Sequence, residues 1–441
     1  MHILKSIARN IGFCSSLIFC SISCFAESMD INGPSPWPEI RKQRISQLLP
    51  LAMQAAKVDS WLILCRENNN DPLAEHIGCE NAGSPAAFLF YTDDQGFHSL
   101  VFSPSSEATA LDDLDIHDKV IAVPRGQSTL KQASEFIKQA DFSSIAINSS
   151  QTNAQADGLS ATQYKQLISY LDDTFVKRLV TSEEIVYHWL SVKLPQEVDI
   201  LRKAAELSAQ WQLEAYQIIQ PGKTTDAEVA KFLKRKMAEH GVTDGWAPEQ
   251  NPNVNSGPDR GHSHPTNKII MPGDVIQIDF GIRLFDRWVS DIQRFGYVLK
   301  PGESKAPSDI QHYWNSGRDG GHAAFSAMRP GVRGIDVDAA QSVLMNKNKS
   351  EPVIWSTGHP VGYVAHDTGP NLGGSRSPTV RPSSQKTLKQ GMVFAFDGFH
   401  SWKLNEQDLK TISVEEMAVI TADGAEYLIP PQQEIILVGS K

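Results

Sequence analysis

Four apolar segments in the second half of the chain each carry a carboxylate where a strand core calls for carbon. They are Asp274-Val-Ile-Gln-Ile-Asp279-Phe-Gly281, Arg287-Trp-Val-Ser-Asp291-Ile-Gln-Arg294, Met392-Val-Phe-Ala-Phe-Asp397 and Ser413-Val-Glu415-Glu416-Met-Ala-Val-Ile-Thr421. Runs this rich in Val, Ile and Phe read as buried strands. A buried carboxylate is costly unless it is paired or bound to a metal. A chain that repeats the feature four times has to pair its acids or bring them to a cation.

Asp279 and Asp291 lie twelve residues apart, with Phe285-Asp286-Arg287 as a plausible turn between them. A hairpin over this stretch sets the two carboxylates side by side. Two like charges so close force one to keep its proton, and a divalent cation removes the conflict. Downstream, Thr357-Gly-His359-Pro-Val-Gly-Tyr-Val-Ala-His366-Asp367 places two histidines around an apolar, glycine-containing segment. Upstream, Gly261-His262-Ser-His264-Pro265 sits in a Gly/Pro-rich run before the first of these strands.

In this order, Asp279, Asp291, His359, Asp397 and Glu415 resemble the ligand set of the pita-bread metallopeptidases, the superfamily of aminopeptidase P, prolidase, creatinase and methionine aminopeptidase. The resemblance covers roughly residues 195–441. It implies an α/β N-terminal creatinase-like domain (27–190) ahead of an α+β pita-bread catalytic domain (191–441). It also implies two divalent metal ions, held by Asp279, Asp291, His359, Asp397 and Glu415, with Asp291 and Glu415 bridging. His262 and His366 stand at the family's substrate-side histidines and, with Glu415, form the expected catalytic group. His264 and His400 are expected substrate contacts. Four carboxylates and one imidazole suit Mn²⁺, Co²⁺ or Zn²⁺. The implied reaction is hydrolysis of an N-terminal peptide bond, Xaa-Pro above all, by a metal-bridging hydroxide. A carboxylate (Glu415 or Asp397) moves the proton and the imidazoles steady the oxyanion. A metal-poor peptide- or protein-binding relative is the alternative, and a creatinase-like C–N hydrolase a third reading. The resemblance further implies a peptide partner and a homodimer.

Three departures stand out. Asp397 replaces the family's Glu, which retracts the carboxylate by about 1.3–1.5 Å. The Asp279–Asp291 hairpin is one residue longer than the family norm, which predicts a bulge or wider turn. Ser413 replaces an Arg two residues before the last Glu.

The rest of the chain supplies context. Residues 1–26, with Lys5 and Arg9 ahead of a short apolar run ending in Cys24-Phe25-Ala26, read as a secretion signal rather than a membrane span. The expected protein is exported, periplasmic or secreted, with no membrane contact once the signal is removed. Its formal charge of −10, or −12 without that segment, excludes a general electrostatic case for nucleic acid. Cys65 and Cys79 are an even pair that either closes a short disulfide loop or stays as two buried thiols.

Between Pro36 and Leu190, apolar runs at 60–65, 86–91, 99–102 and 120–123 alternate with amphipathic stretches at 41–56, 134–140 and 161–171, an α/β texture. This half shows no cluster of chemistry and is assigned to support or oligomerisation. Helices are predicted at Gln196–Gln220 and, capped by Thr225, at Asp226–His240. Turn-rich segments then alternate with strands at 275–284, 289–299, 353–356, 392–396 and 411–420. The loop Asp367–Lys386 is long enough to predict that it borders a site.

Overall fold

The structure is a computed structural model that describes residues 29–79, 85–261 and 263–439. The segment read as a secretion signal and His262 lie outside the described residues. Among the described residues no helix is long and apolar enough to cross a membrane.

The first half builds a sheet from β1 (Ser60–Cys65), β2 (Ala86–Asp93), β3 (Gly96–Pro104), β4 (Lys119–Val123), β5 (Ile145–Ile147) and β6 (Leu179–Thr181), in the order β4-β3-β2-β1-β5-β6. β1 pairs antiparallel with β2 and parallel with β5. Leu62, Leu89, Phe102, Ile137 and Leu167 form part of the core between sheet and helices. Helix Thr129–Ala140 starts where the Ser128 hydroxyl accepts the Lys131 amide, and helix Ala161–Tyr170 has a Ser160/Gln163 capping box. Pro50 falls in the first turn of helix Leu49–Ala56, after a π turn at Arg44–Leu48, so the 41–56 stretch is helical throughout. Cys65 and Cys79 are joined by a disulfide.

The long helix runs from Pro195 to Gln217, and the next from Asp226 to Glu239 with the expected Thr225 cap. The strands that follow are β7 (Thr243–Asp244), β8 (Asn253–Ser256), β9 (Val275–Phe280), β10 (Ile282–Leu284), β11 (Trp288–Val289), β12 (Ile292–Val298), β13 (Gly358–Pro360), β14 (Val393–Lys403), β15 (Leu409–Ile420), β16 (Ala425–Tyr427) and β17 (Ile436–Val438). The main sheet has the order β13-β14-β15-β12-β9-β8, with β16 on β15 and β17 on β12, while β11-β10-β7 form a small sheet.

Two expectations fail here. Residues 353–356 are irregular rather than a strand: Val353 is buried, and Ile354 next to it points to solvent. Two helices, Ser308–Ala327 and Gly334–Lys347, were not legible. The first carries Gly317, Gly320 and Gly321, which mimic a turn in sequence. In space, Gly317 and Gly321 let the helix backbone settle on Gly398 of β14, where a Cβ on Gly398 would meet the Gly317 carbonyl oxygen at 2.1 Å. The second buries Asp338 and Gln341, which breaks its apolar stripe.

Candidate metal centre

Cross-strand partners in an antiparallel sheet face the same side. Asn253 pairs with Asp279, Asp279 with Gln293, Gln293 with Glu415, and Glu415 with Asp397. One row across five strands therefore presents two amides and three carboxylates to one face. His359 pairs with Ala395, two residues before Asp397, and so joins that face. Asp291, two before Gln293, joins it as well.

The hairpin loop secures this alignment. Leu284 pairs with Trp288, leaving Phe285, Asp286 and Arg287 as a three-residue loop. A two-residue loop would shift the register by one and turn Asp291 to the opposite face. The hairpin thus has a wide turn and no bulge, and the β9–β12 ladder is uninterrupted from Val275 to Phe280. The loop places Phe285 and Asp286 at φ 51° and 53°, a strained setting for a bulky residue such as Phe.

His359 Nε2 lies 3.8 Å from Asp291 Oδ2 and 3.7 Å from Glu415 Oε1. Ligand atoms of these three residues all fall within 4.8 Å of one another. With Asp279, Asp397 and His366 they line a cavity of about 1240 Å³. Asp279, Asp291, Asp397 and Glu415 are 4%, 6%, 8% and 2% exposed, so water does little to screen them. Burial, then repulsion from Glu415, Asp279 and Asp397, pushes the Asp291 carboxyl well above its usual range. Burial, then Glu415 and Asp279, does the same to Asp397, which Arg376 partly offsets. Burial and Asp279 raise Glu415 against a hydrogen bond from Gln293.

Glu416 faces the other side of β15, where Arg294 holds it in a bidentate pair at 3.0 and 2.9 Å. The choice between the two adjacent acids is thereby made by strand alternation. Sequence reasoning passed over the amides beside the acids. Gln277 Nε2 donates to Gln293 Oε1 at 2.6 Å, and the Ser413 hydroxyl donates to the same oxygen at 2.9 Å. Ser413 thus closes a neutral hydrogen-bond frame. Gln277 and Gln293 stand two residues from Asp279 and Asp291, a period-2 signal that could have placed them on this face.

His366 also lines the cavity, its ring centroid 4.2 Å from that of His359. Its loop is pinned by the next residue, buried Asp367. Oδ2 of Asp367 accepts the Tyr363 amide at 2.9 Å and lies 3.1 Å from Lys193 Nζ. Oδ1 accepts the Thr368 amide at 2.7 Å and the Gln155 side-chain amide at 3.0 Å. Thr152, Asn153, Gln155 and Glu183 line the same cavity, so the first half forms part of the site wall as well as a support. The 367–386 loop borders the cavity as its length predicts, through Asp367, Asn371, Arg381 and Lys386.

Two expected substrate contacts are placed elsewhere. His264 is exposed and is not among the residues lining the cavity. His400 lies three residues after Asp397, and an odd offset in a strand reverses the face. Its Nδ1 meets the Ser316 hydroxyl at 2.8 Å and its ring stacks on Tyr313, behind the sheet. Its expected role as a substrate contact is therefore corrected to one in packing.

The donor set fits divalent cations. Glu415 Oε2 is buried with no hydrogen-bond partner among the described residues, an arrangement that a cation would satisfy. Carboxylates raised by mutual repulsion gain from any positive charge placed between them.

Comparison with known proteins agrees. Residues 199–422, half of the chain, match metallopeptidase family M24. The chain is 24% identical over 289 residues to an Xaa-Pro dipeptidase of Pyrococcus furiosus, covering 64% of this chain and 76% of that protein. It is 26% identical over 266 residues to a probable dipeptidase PepE of Mycobacterium bovis, covering 59% of this chain and 64% of that protein. The fold matches an X-Pro aminopeptidase of Thermotoga maritima with a TM-score of 0.65 at 20% identity, over 88% of this chain and all of the other. It also matches the dipeptidase PepE of Mycobacterium ulcerans at 0.69 and 19% identity, over 92% and 100% of the two chains. On the match over half its length, and with the ligand row in register, the chain belongs to metallopeptidase family M24.

Proposed function

We propose that this chain hydrolyses the N-terminal bond of peptides, Xaa-Pro above all, with two divalent ions held by Asp279, Asp291, His359, Asp397 and Glu415. The observation that carries the reading is the single row of Asp279, Gln293, Glu415 and Asp397 across the sheet, with Asp291 and His359 on the same face. Bound there, the ions supply a water of lowered pKa and a Lewis acid for the scissile carbonyl. Glu415 takes the proton of the attacking water and returns it to the leaving nitrogen. His366, held by the Asp367 anchor, donates to the carbonyl oxygen as negative charge gathers on it. Gln293, fixed by Gln277 and Ser413, keeps Glu415 oriented.

Manganese is the metal we assign first, because all four candidate carboxylates crowd one face with His359 and no thiolate. Export is proposed on the N-terminal pattern together with the Cys65–Cys79 disulfide, since such bonds persist in oxidising compartments. We also assign the 27–190 and 191–441 division and a homodimer on the family resemblance. The test is a hydrolysis screen of Xaa-Pro dipeptides and longer Xaa-Pro peptides with added Mn²⁺, Co²⁺ and Zn²⁺. Metal-dependent release of the N-terminal residue supports the proposal. Tight peptide binding without release under every metal supports the binding-only alternative instead.

A further inference from the structure

The segment between His359 and His366 is held from behind by two buried ion pairs. Arg44 Nη1 lies 2.6 Å from Glu197 Oε2, and Lys193 Nζ lies 3.1 Å from Asp367 Oδ2, with all four side chains at most 1% exposed. Taking four charges out of water is costly, and pairs of this kind give little net stability. What they supply is one fixed arrangement of the segments they join.

Tyr363 connects the two pairs. Its hydroxyl donates to Glu197 Oε1, and its amide donates to Asp367 Oδ2 at 2.9 Å. Its ring centroid is 4.8 Å from Lys193 Nζ and 5.5 Å from the Arg44 guanidinium carbon. Trp288, in the hairpin that joins Asp279 to Asp291, donates to the same Glu197 oxygen at 3.2 Å, and the Val289 amide donates to the Gly362 carbonyl at 2.7 Å. The packing is tight: a Cβ on Gly362 would stand 2.2 Å from Lys193 Cε and 2.7 Å from Asp367 Oδ2. The first half of the chain enters at both ends. Arg44 begins the π turn and also donates to the Trp189 and Val192 carbonyls, while Gln155 donates to Asp367 Oδ1 at 3.0 Å. His366 stands three residues after Tyr363 and one before Asp367, so a shift of either moves its ring in the cavity.

We infer that Tyr363 is a positioning residue: through Glu197–Arg44 and Asp367–Lys193 it lets the first half of the chain set where His366 stands. Turnover then depends on side chains remote from the metal ions and the substrate. The inference rests on the peptidase reading above and on the role of His366 in it. It is tested with the full chain and Mn²⁺, on Ala-Pro and Ala-Pro-Leu, by a double-mutant cycle of Tyr363→Phe with His366→Ala. Tyr363→Phe keeps the ring and removes the hydroxyl. The expected kcat is about tenfold below the parent, since misplacing a catalytic group by about 1 Å costs roughly 10²-fold and a smaller shift correspondingly less. KM and bound Mn²⁺ stay at the parent level, the pattern of an interaction made only in the transition state. In the His366→Ala background the same change has no further effect on kcat. Gln155→Ala, at a half-buried position of the first half, gives a second cycle in case Tyr363→Phe does not fold, with kcat lowered only when His366 is present. A loss that persists without His366, a parent-level kcat in the folded variant, or loss of Mn²⁺ from it overturns the positioning role and leaves the peptidase reading intact. A parent that hydrolyses neither peptide overturns the peptidase reading, and this role with it.

Discussion

Replacing Gly398 by Ala tests how the ligand row is held in place. Gly398 follows Asp397 on β14, and an added Cβ would stand 2.1 Å from the Gly317 carbonyl oxygen and 2.7 Å from the Gly321 nitrogen. Real Cβ contacts of this kind are essentially never under 3.0 Å, so helix and strand have to part by close to 1 Å. Overpacking of that kind costs about 1–3 kcal/mol or more. Because the residue next in sequence is a candidate ligand, the separation also displaces the Asp397 carboxylate, and metal-site distances tolerate only about 0.2 Å. Gly424→Ala is the matched control. Its nearest neighbour, Thr421 Oγ1, would be 3.9 Å away, and its φ is not in the left-handed region. There the same methyl should stabilise by about 0.4–1 kcal/mol through the unfolded chain. Urea midpoints and Mn²⁺ titrations of the two variants are the assay. Equal midpoints and equal affinities in Gly398→Ala and the parent would refute the packing argument.

Three more expectations follow from the site and its surroundings. His366→Ala should keep the parent's metal content but lose about 10²–10³ in kcat, the usual effect of removing one oxyanion donor; loss of metal would make it a ligand instead. Arg294→Met should destabilise by about 3–5 kcal/mol because it strands buried Glu416, whereas Arg294→Met with Glu416→Leu should recover most of the loss, read as urea midpoints. Burial, then His312, lowers His400 to about 4, below its ordinary 6.5. A depressed histidine contributes stability that is complete above pH 6.5 and lost as pH falls toward 4, so His400→Phe should flatten the stability profile across that window. An unchanged slope would rule His400 out as its source.

Much of the centre was legible because strands count in twos. An even separation of Asp279 and Asp291, with an odd loop between them, is enough to put both on one face. The same arithmetic, left unapplied to His400 at an odd offset from Asp397, would have turned it away from the cavity. Helix Ser308–Ala327 was hidden because its glycines serve contact with β14, a requirement that exists only after folding. The role of Gln155 was hidden for a similar reason: its partner, Asp367, is 212 residues away. The backbone at Asp397 is regular, since the β14–β15 ladder runs unbroken from Val393 to Lys403. Asp397→Glu is therefore the substitution that would lengthen the ligand without moving the strand.

Metal stoichiometry goes to the heart of the account. Elemental analysis of the purified chain after Mn²⁺ loading and desalting should find two ions per parent chain, and fewer than one in Asp291→Asn and in Glu415→Gln. A parent chain that retains no ion, or variants that retain as many as the parent, would contradict it.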